Sequence, residues 1–238
     1  MEEAKIQILE YFKGLEFYED EHKYMYHSKP IKISVSGLIK HFYEPFDSYN
    51  ISLRIAKRDG ISQEEVLKGW DNEGKKGISK GNKAHLFGEV YPFNKHLEPN
   101  DKYDEAIIKF WNDLPSHIVP VIMELRMFHK EYMFAGTADI LLYNTITKMF
   151  IIGDYKTNKD LFKNFKGKKM LGPFKDLLDS PFNHYQLQLS FYQILFEQCG
   201  LKVSSRKLIW LLSDGTYNMY DLEDYTKVLK EQLQILKI

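Results

Sequence analysis

Two aspartates and a lysine interrupt apolar runs that would otherwise read as buried strands. The runs are Gly136-Thr137-Ala138-Asp139-Ile140-Leu141-Leu142-Tyr143 and Met149-Phe150-Ile151-Ile152-Gly153-Asp154-Tyr155-Lys156. Centring a hairpin turn on Asn144-Thr145-Ile146-Thr147-Lys148 pairs Leu141 with Ile152 and Tyr143 with Phe150, and sets Asp139 opposite Asp154. Directly opposed side chains have Cβ atoms roughly 5 Å apart. Two carboxylates at that distance repel unless one is protonated or a cation lies between them, and charge on apolar strands is costly to leave unpaired. A divalent cation resolves both problems. Lys156, two residues beyond Asp154, returns to the same strand face. Two acids with a cation and a lysine beside them suit phosphodiester hydrolysis, in which the metal polarises the phosphate and acidifies a water while the lysine orients that water or offsets developing charge. Oxygen ligation from the two acids favours magnesium, with manganese as a substitute, over zinc. The competing reading of Asp154 and Lys156 is a surface salt bridge.

These residues need a sheet to position them. Ile118–Met127, Tyr132–Tyr143 and Met149–Tyr155 are three strand-like runs, and Arg206–Leu212 with Thr216–Tyr220 forms a last hairpin around Asp214-Gly215. Residues 182–199 are the clearest helix, and Leu222–Leu236 closes with another. Upstream, residues 2–12 have helical spacing. Residues 15–35 read as a hairpin turning at Ser28-Lys29-Pro30, and Ser36 is placed to cap a short helix ending near Tyr43. Residues 50–112 read as largely helical, with breaks expected at Gly69, Gly74, Gly77 and Gly81 and a helix from Ser79 carrying His85. The expectation is an α/β fold of one domain over residues 1–238. A mixed central sheet at 118–238 would be flanked by helices and preceded by a hairpin and helical region at 1–117.

Composition narrows the partners. Thirty-three basic residues balance thirty-three acidic ones, so any nucleic-acid contact must come from local patches. Lys163, Lys166, Lys168 and Lys169 form one such patch just beyond Lys156, either a solvated loop or a phosphate contact. Arg54, Lys57 and Arg58 recur at helical spacing, as they would along a strand channel in an arch-like insertion. Cys199 is the only cysteine, which excludes a disulfide framework and a thiolate cluster. It lies at the end of an apolar helix and reads as a buried structural thiol. No apolar run is long enough for a signal peptide or a membrane span, so the expectation is a cytoplasmic protein, of a bacterial cell or a phage-infected host, without membrane partners.

Gly136-Thr137-Ala138-Asp139, then Asp154-Tyr155-Lys156-Thr157, then Gln188-Leu189-Ser190-Phe191-Tyr192 resembles the PD-(D/E)xK nuclease superfamily, and most closely its RecB-like exonuclease branch. Gly81-Asn82-Lys83-Ala84-His85 matches that branch's upstream helix with its histidine, so the likeness covers roughly residues 79–200. The resemblance implies a PD-(D/E)xK core in which Asp139 and Asp154 hold the metal with His85 as a further ligand. Glu124 would be an added acidic ligand from the preceding strand and Lys156 the catalytic lysine. Gln188 and Tyr192, sharing a helix face at i, i+4, would position substrate or brace the site. It further implies a magnesium-dependent DNA exonuclease acting on single-stranded DNA or DNA ends, in repair, recombination or replication. A flap-type endonuclease would use the same centre. A non-catalytic DNA-binding protein on a nuclease scaffold is the reading from another class.

Overall fold

The chain begins with helix α1 (Glu2–Tyr11), then strands β1 (Leu15–Tyr18), β2 (Lys23–Tyr26), β3 (Lys29–Pro30) and β4 (Ile33–Ser34). The structure is a computed structural model describing residues 1–18, 21 and 23–236. β1, β2 and β3 form a small antiparallel sheet, whereas β4 leaves it and pairs in parallel with the main sheet. The second arm of the hairpin expected over residues 15–35 is therefore split and does not reach Val35. Val35 already begins helix α2 (Val35–Ile39), because Ser34, not Ser36, accepts the Gly37 N–H as N-cap.

Helix α3 (Ser48–Asp59) ends at Gly60, whose φ of 68° is left-handed as a C-cap requires. Helix α4 (Gln63–Val90) then runs unbroken for 28 residues. The breaks expected at Gly69, Gly74, Gly77 and Gly81 do not occur, and none of the four has the positive φ of Gly60. A glycine inside a helix costs about 1 kcal/mol relative to alanine but does not by itself end it. α4 is secured at both ends: Ser62 and Glu65 make a reciprocal capping box, and Ala84, Phe87 and Gly88 are buried at the other end. Residues 71–79 between them are exposed, and α3 packs beside the first half. Helix α5 (Lys102–Asp113) follows, its first turn capped by the Asp101 carboxylate.

Strands β5 (Ile118–Phe128), β6 (Phe134–Asn144) and β7 (Met149–Lys156) come next, then helix α6 (Pro181–Glu197), β8 (Val203–Leu211), β9 (Tyr217–Asp221) and helix α7 (Thr226–Leu236). The main sheet is mixed. β5, β6 and β7 are antiparallel neighbours, β7 and β8 are parallel with α6 as their crossover, and β9 returns antiparallel on β8. Helices cover both faces, as expected of an α/β fold. Leu38, Leu187, Phe191 and Leu229 belong to the core on one face. On the other, Phe87, Ile107 and Phe110 pack on Ile140, Ile151 and Tyr155. Among the described residues no helix is long and apolar enough to cross a membrane.

The second core locks α4 to the sheet. A Cβ on Gly88 would lie 2.5 Å from Cε2 of Tyr155, and that ring is held in turn by the Trp111 indole N–H donating to its hydroxyl at 2.8 Å. Gly74, by contrast, faces open space. Gly74→Ala is therefore expected to stabilise the protein by about 0.5–1 kcal/mol. Gly88→Ala should destabilise it by about 1–3 kcal/mol. Urea midpoints for the two variants check both signs.

Candidate metal centre

The hairpin register places the acids. β6 and β7 pair from Asn144↔Met149 through Leu141↔Ile152 to Ile140↔Gly153, as the turn position predicts. Asp139 and Asp154 come one step later, past the last cross-strand pair of these two strands, where the ladder opens. β7 continues along β8, with Asp154, Tyr155 and Lys156 beside Leu208, Ile209 and Trp210. The same edge of β6 is next paired by β4, at Phe134 and Ala135. Between these two partners lies a fork spanned by the Tyr155 N–H, which donates to Asp139 Oδ2 at 2.8 Å. Gly136 allows helices to close over the fork, since a Cβ there would lie 2.7 Å from Tyr192 Cε1 and 2.9 Å from Val35 Cγ2.

Three of the four expected ligands converge here. His85 reaches in from α4, with Nδ1 3.4 Å from Asp139 Oδ2 and 3.6 Å from Glu124 Oε1. Donor atoms of His85, Glu124 and Asp139 all lie within 4.8 Å of one another, close enough to share one cation. Glu124 has a φ of 51° in the middle of β5, between the pairs Met123↔Ile140 and Leu125↔Ala138. A left-handed non-glycine residue costs about 1–2 kcal/mol. The bend accompanies the approach of its carboxylate to His85. Asp154 stands outside this set. It is 1% exposed in its side chain and meets the Lys156 ammonium instead. Asp154 Oδ2 is the oxygen that meets this ammonium, and it has no hydrogen-bond partner besides, among the described residues. The donor set fits a divalent ion. With an imidazole present it is not all oxygen, which moves its preference from magnesium toward manganese and other transition ions.

Burial and mutual charge set the protonation of these groups. Burial opposes the His85 imidazolium, but Asp139 and then Glu124 outweigh it and raise the group to about 10. Burial and repulsion from Asp139 raise Asp154 to about 6, against the pull of Lys156 and His85. Burial alone would raise Asp139, yet His85, Lys156 and the Tyr155 N–H hold it below the ordinary carboxylate range. Burial also opposes charge on Lys156, and the carboxylates of Asp154 and Asp139 overcome it, so the ammonium persists at neutral pH. Its Nζ sits 4.7 Å from the centre of the Tyr185 ring.

A cleft of about 540 Å³ opens over the centre. His85 and Lys156 line it, with Gly77 and Gly81 of α4 on one side, Ser36 and Tyr43 on another, and Gln188 of α6. Tyr192 is not a wall of this cleft. It is buried and its hydroxyl accepts from Gln188 Nε2 at 2.7 Å, so it braces the helix and does not offer a substrate contact. Arg54 and Arg58 are exposed on α3 and line no part of the cleft; Arg58 pairs with Asp59. Lys163 and Lys166 are exposed on the loop before α6, likewise outside the cleft wall. Lys168 and Lys169 are tied to the chain itself, Lys168 to Glu44 and Asp179 and Lys169 to the Asp176 carbonyl. Sequence spacing did not indicate Lys80, which donates to the Thr157 carbonyl at 2.7 Å and so fixes α4 to the end of β7. It did not indicate Asn158 either, whose side chain accepts from Tyr185 and whose carbonyl accepts from Trp210. No signal in the sequence joins residues so far apart. Neither a protein-family model nor a curated protein matches the chain.

A cation at this centre competes with protons. Charged His85 contributes stability to the metal-free fold that is complete below 6.5 and lost as pH rises through about 10. Neutral Asp154 acts in the same sense, its contribution complete below 3.8 and lost through about 6. A metal needs the His85 lone pair, so each pH unit of acidification should weaken binding about tenfold for each proton displaced. The rise in Tm produced by manganese is therefore expected to grow from about pH 6 to about pH 8 and to vanish in Asp139→Asn. A rise that is independent of pH, or that survives in Asp139→Asn, would place the ion elsewhere.

Proposed function

We propose that this chain is a metal-dependent nuclease of the PD-(D/E)xK type that hydrolyses DNA phosphodiester bonds, acting as an exonuclease on single-stranded DNA or DNA ends. The observation that carries the reading is the convergence of His85, Glu124 and Asp139 within 4.8 Å beside the buried Asp154–Lys156 pair. The order along the chain agrees with it: a helix with His85, a strand with Glu124, a strand with Asp139, Asp154-Tyr155-Lys156, then the helix of Gln188.

Magnesium or manganese, when bound, would polarise the scissile phosphate and acidify a water. His85, Glu124 and Asp139 would hold the ion, with Asp154 beside them paired to Lys156. The carboxylates of Asp154 and Asp139 favour the charged form of Lys156, which suits it to act through its charge. Its ammonium, on the cleft wall, would offset negative charge developing on the phosphate. Gln188 lines the same cleft with its amide oriented by Tyr192, which suits a hydrogen bond to substrate. Burial of Asp154 beneath Lys156 keeps that lysine in place at little entropic cost when substrate arrives.

Digestion of end-labelled single-stranded DNA with magnesium tests the reading. Lys156→Ala and Asp139→Asn should each lower the rate about a hundredfold or more. Equal rates in wild type and Lys156→Ala would remove the assignment. Closed circular single-stranded DNA should resist the protein; cutting of the circle would make it an endonuclease with the same centre.

A further inference from the structure

The cleft holds an aromatic pair that the hydrolytic chemistry does not use. Tyr43 and His184 stack with ring centroids 4.2 Å apart and planes 17° apart, and both line the cleft that contains Lys156 and His85. The rings come from distant parts of the chain, Tyr43 from the segment after α2 and His184 from the first turn of α6. A closed circuit of polar contacts fixes them. His184 Nε2 lies 2.8 Å from Asp179 Oδ1, and Lys168 Nζ is 3.4 Å from Asp179 Oδ2. The same ammonium donates to the Glu44 carbonyl at 3.2 Å, one residue beyond Tyr43. The platform is thus built before any ligand arrives, which lowers the ordering cost of binding. Tyr185, the next aromatic of the cleft, is engaged by Asn158 and Lys156.

The cleft continues past Gly77, Thr157 and Asn158, which it shares with a second trough of about 400 Å³. The charged residues that line that trough are Lys76, Lys80, Lys159 and one acid, Glu73. Lys80 is occupied by the Thr157 carbonyl, while Lys76 pairs only with Glu73 where both are largely exposed, an interaction of little strength. The combined groove has an aromatic end and a basic end. Each nucleotide of a single strand offers a π-face and a phosphate, and stacking on aromatic side chains is tolerant of base identity. In a duplex the faces of internal bases are hidden by their neighbours.

We infer that the Tyr43–His184 stack is a seat for an unpaired nucleobase, holding the nucleotide next to the phosphate attacked at the metal centre. The inference rests on the nuclease reading and adds the group that selects a single strand. Tyr43 acts here as a binding residue and His184 as the residue that positions it.

The test is equilibrium binding by the full chain in EDTA, read by fluorescence anisotropy. The probes are oligothymidylate, an abasic backbone of equal length, and a blunt duplex. Tyr43→Leu keeps apolar bulk against the core but removes the ring, and Tyr43→Phe restores it. Tyr43→Leu should bind oligothymidylate about tenfold or more weakly, the loss of one stacked base, with its affinity for the abasic backbone unchanged. Tyr43→Phe should match wild type within about twofold. The inference is overturned if wild type binds oligothymidylate and abasic backbone equally, if Tyr43→Leu binds as wild type does, or if it loses both probes equally. Cleavage of the same oligonucleotide in magnesium separates this from the nuclease reading. Base-dependent binding without cleavage would remove the nuclease and keep the seat, whereas cleavage with base-independent binding would do the reverse.

Discussion

The arrangement of this protein depends on two carboxylates placed where the sheet opens. Asp139 and Asp154 stand on adjacent strands just past the last paired residues, Ile140 and Gly153, and both are buried. Left alone they would repel in a low dielectric and favour protonation or unfolding. Each has acquired a cation from its own chain, His85 for Asp139 and Lys156 for Asp154. The metal-free fold therefore holds its charges by pairing, and the same pairing sets the protonation states on which the proposed chemistry depends.

That constraint reaches well beyond the strands. His85 can neutralise Asp139 only if α4 lies close against β7, and the close approach requires Gly88 under the Tyr155 ring. Trp111 of α5 fixes that ring, and Lys80 ties the next turns of α4 to the Thr157 carbonyl. Beyond this anchored half, α4 extends into an exposed stretch with α3 at its side. One helix thus supplies His85 at its docked end and a wall of the cleft above it. On the opposite face Gly136 lets Tyr192 and Val35 close over the fork, so that Gln188 reaches the cleft while Tyr192 stays beneath it.

The lysines after β7 show how spacing along a loop leaves role open. A run at 163, 166, 168 and 169 beside a proposed phosphate site reads either as a solvated loop or as a phosphate contact. Lys168 is in fact a strut between Glu44 and Asp179, and Lys169 folds back onto the Asp176 carbonyl. The basic surface that borders the cleft comes from Lys76 and Lys159, which are far apart in sequence. Positive charge near a site matters by position in space, and spacing along a loop does not give that.

Local pattern was enough for the strand hairpin. Alternation of apolar residues and the polar turn at 144–148 determined its register, because a one-residue slip would have turned every side chain to the other face. The same logic made α6, β8, β9 and the mixed α/β sheet legible, since their periodicities survive in any packing. The glycines in α4 do not break it, because a glycine costs helix stability without stopping a helix that is capped and docked elsewhere. Ser34 took the cap from Ser36 because β4 ends on the edge of β6, a contact with no trace in nearby residues. Only the tertiary structure decided which side chains converge closely enough to hold a cation: His85, Glu124 and Asp139 come from three elements, and Asp154 is claimed by the lysine two residues on. The Tyr43–His184 stack arose the same way, from two segments about 140 residues apart that meet only when the chain closes on itself, since long-range contacts are set by packing and not by sequence spacing.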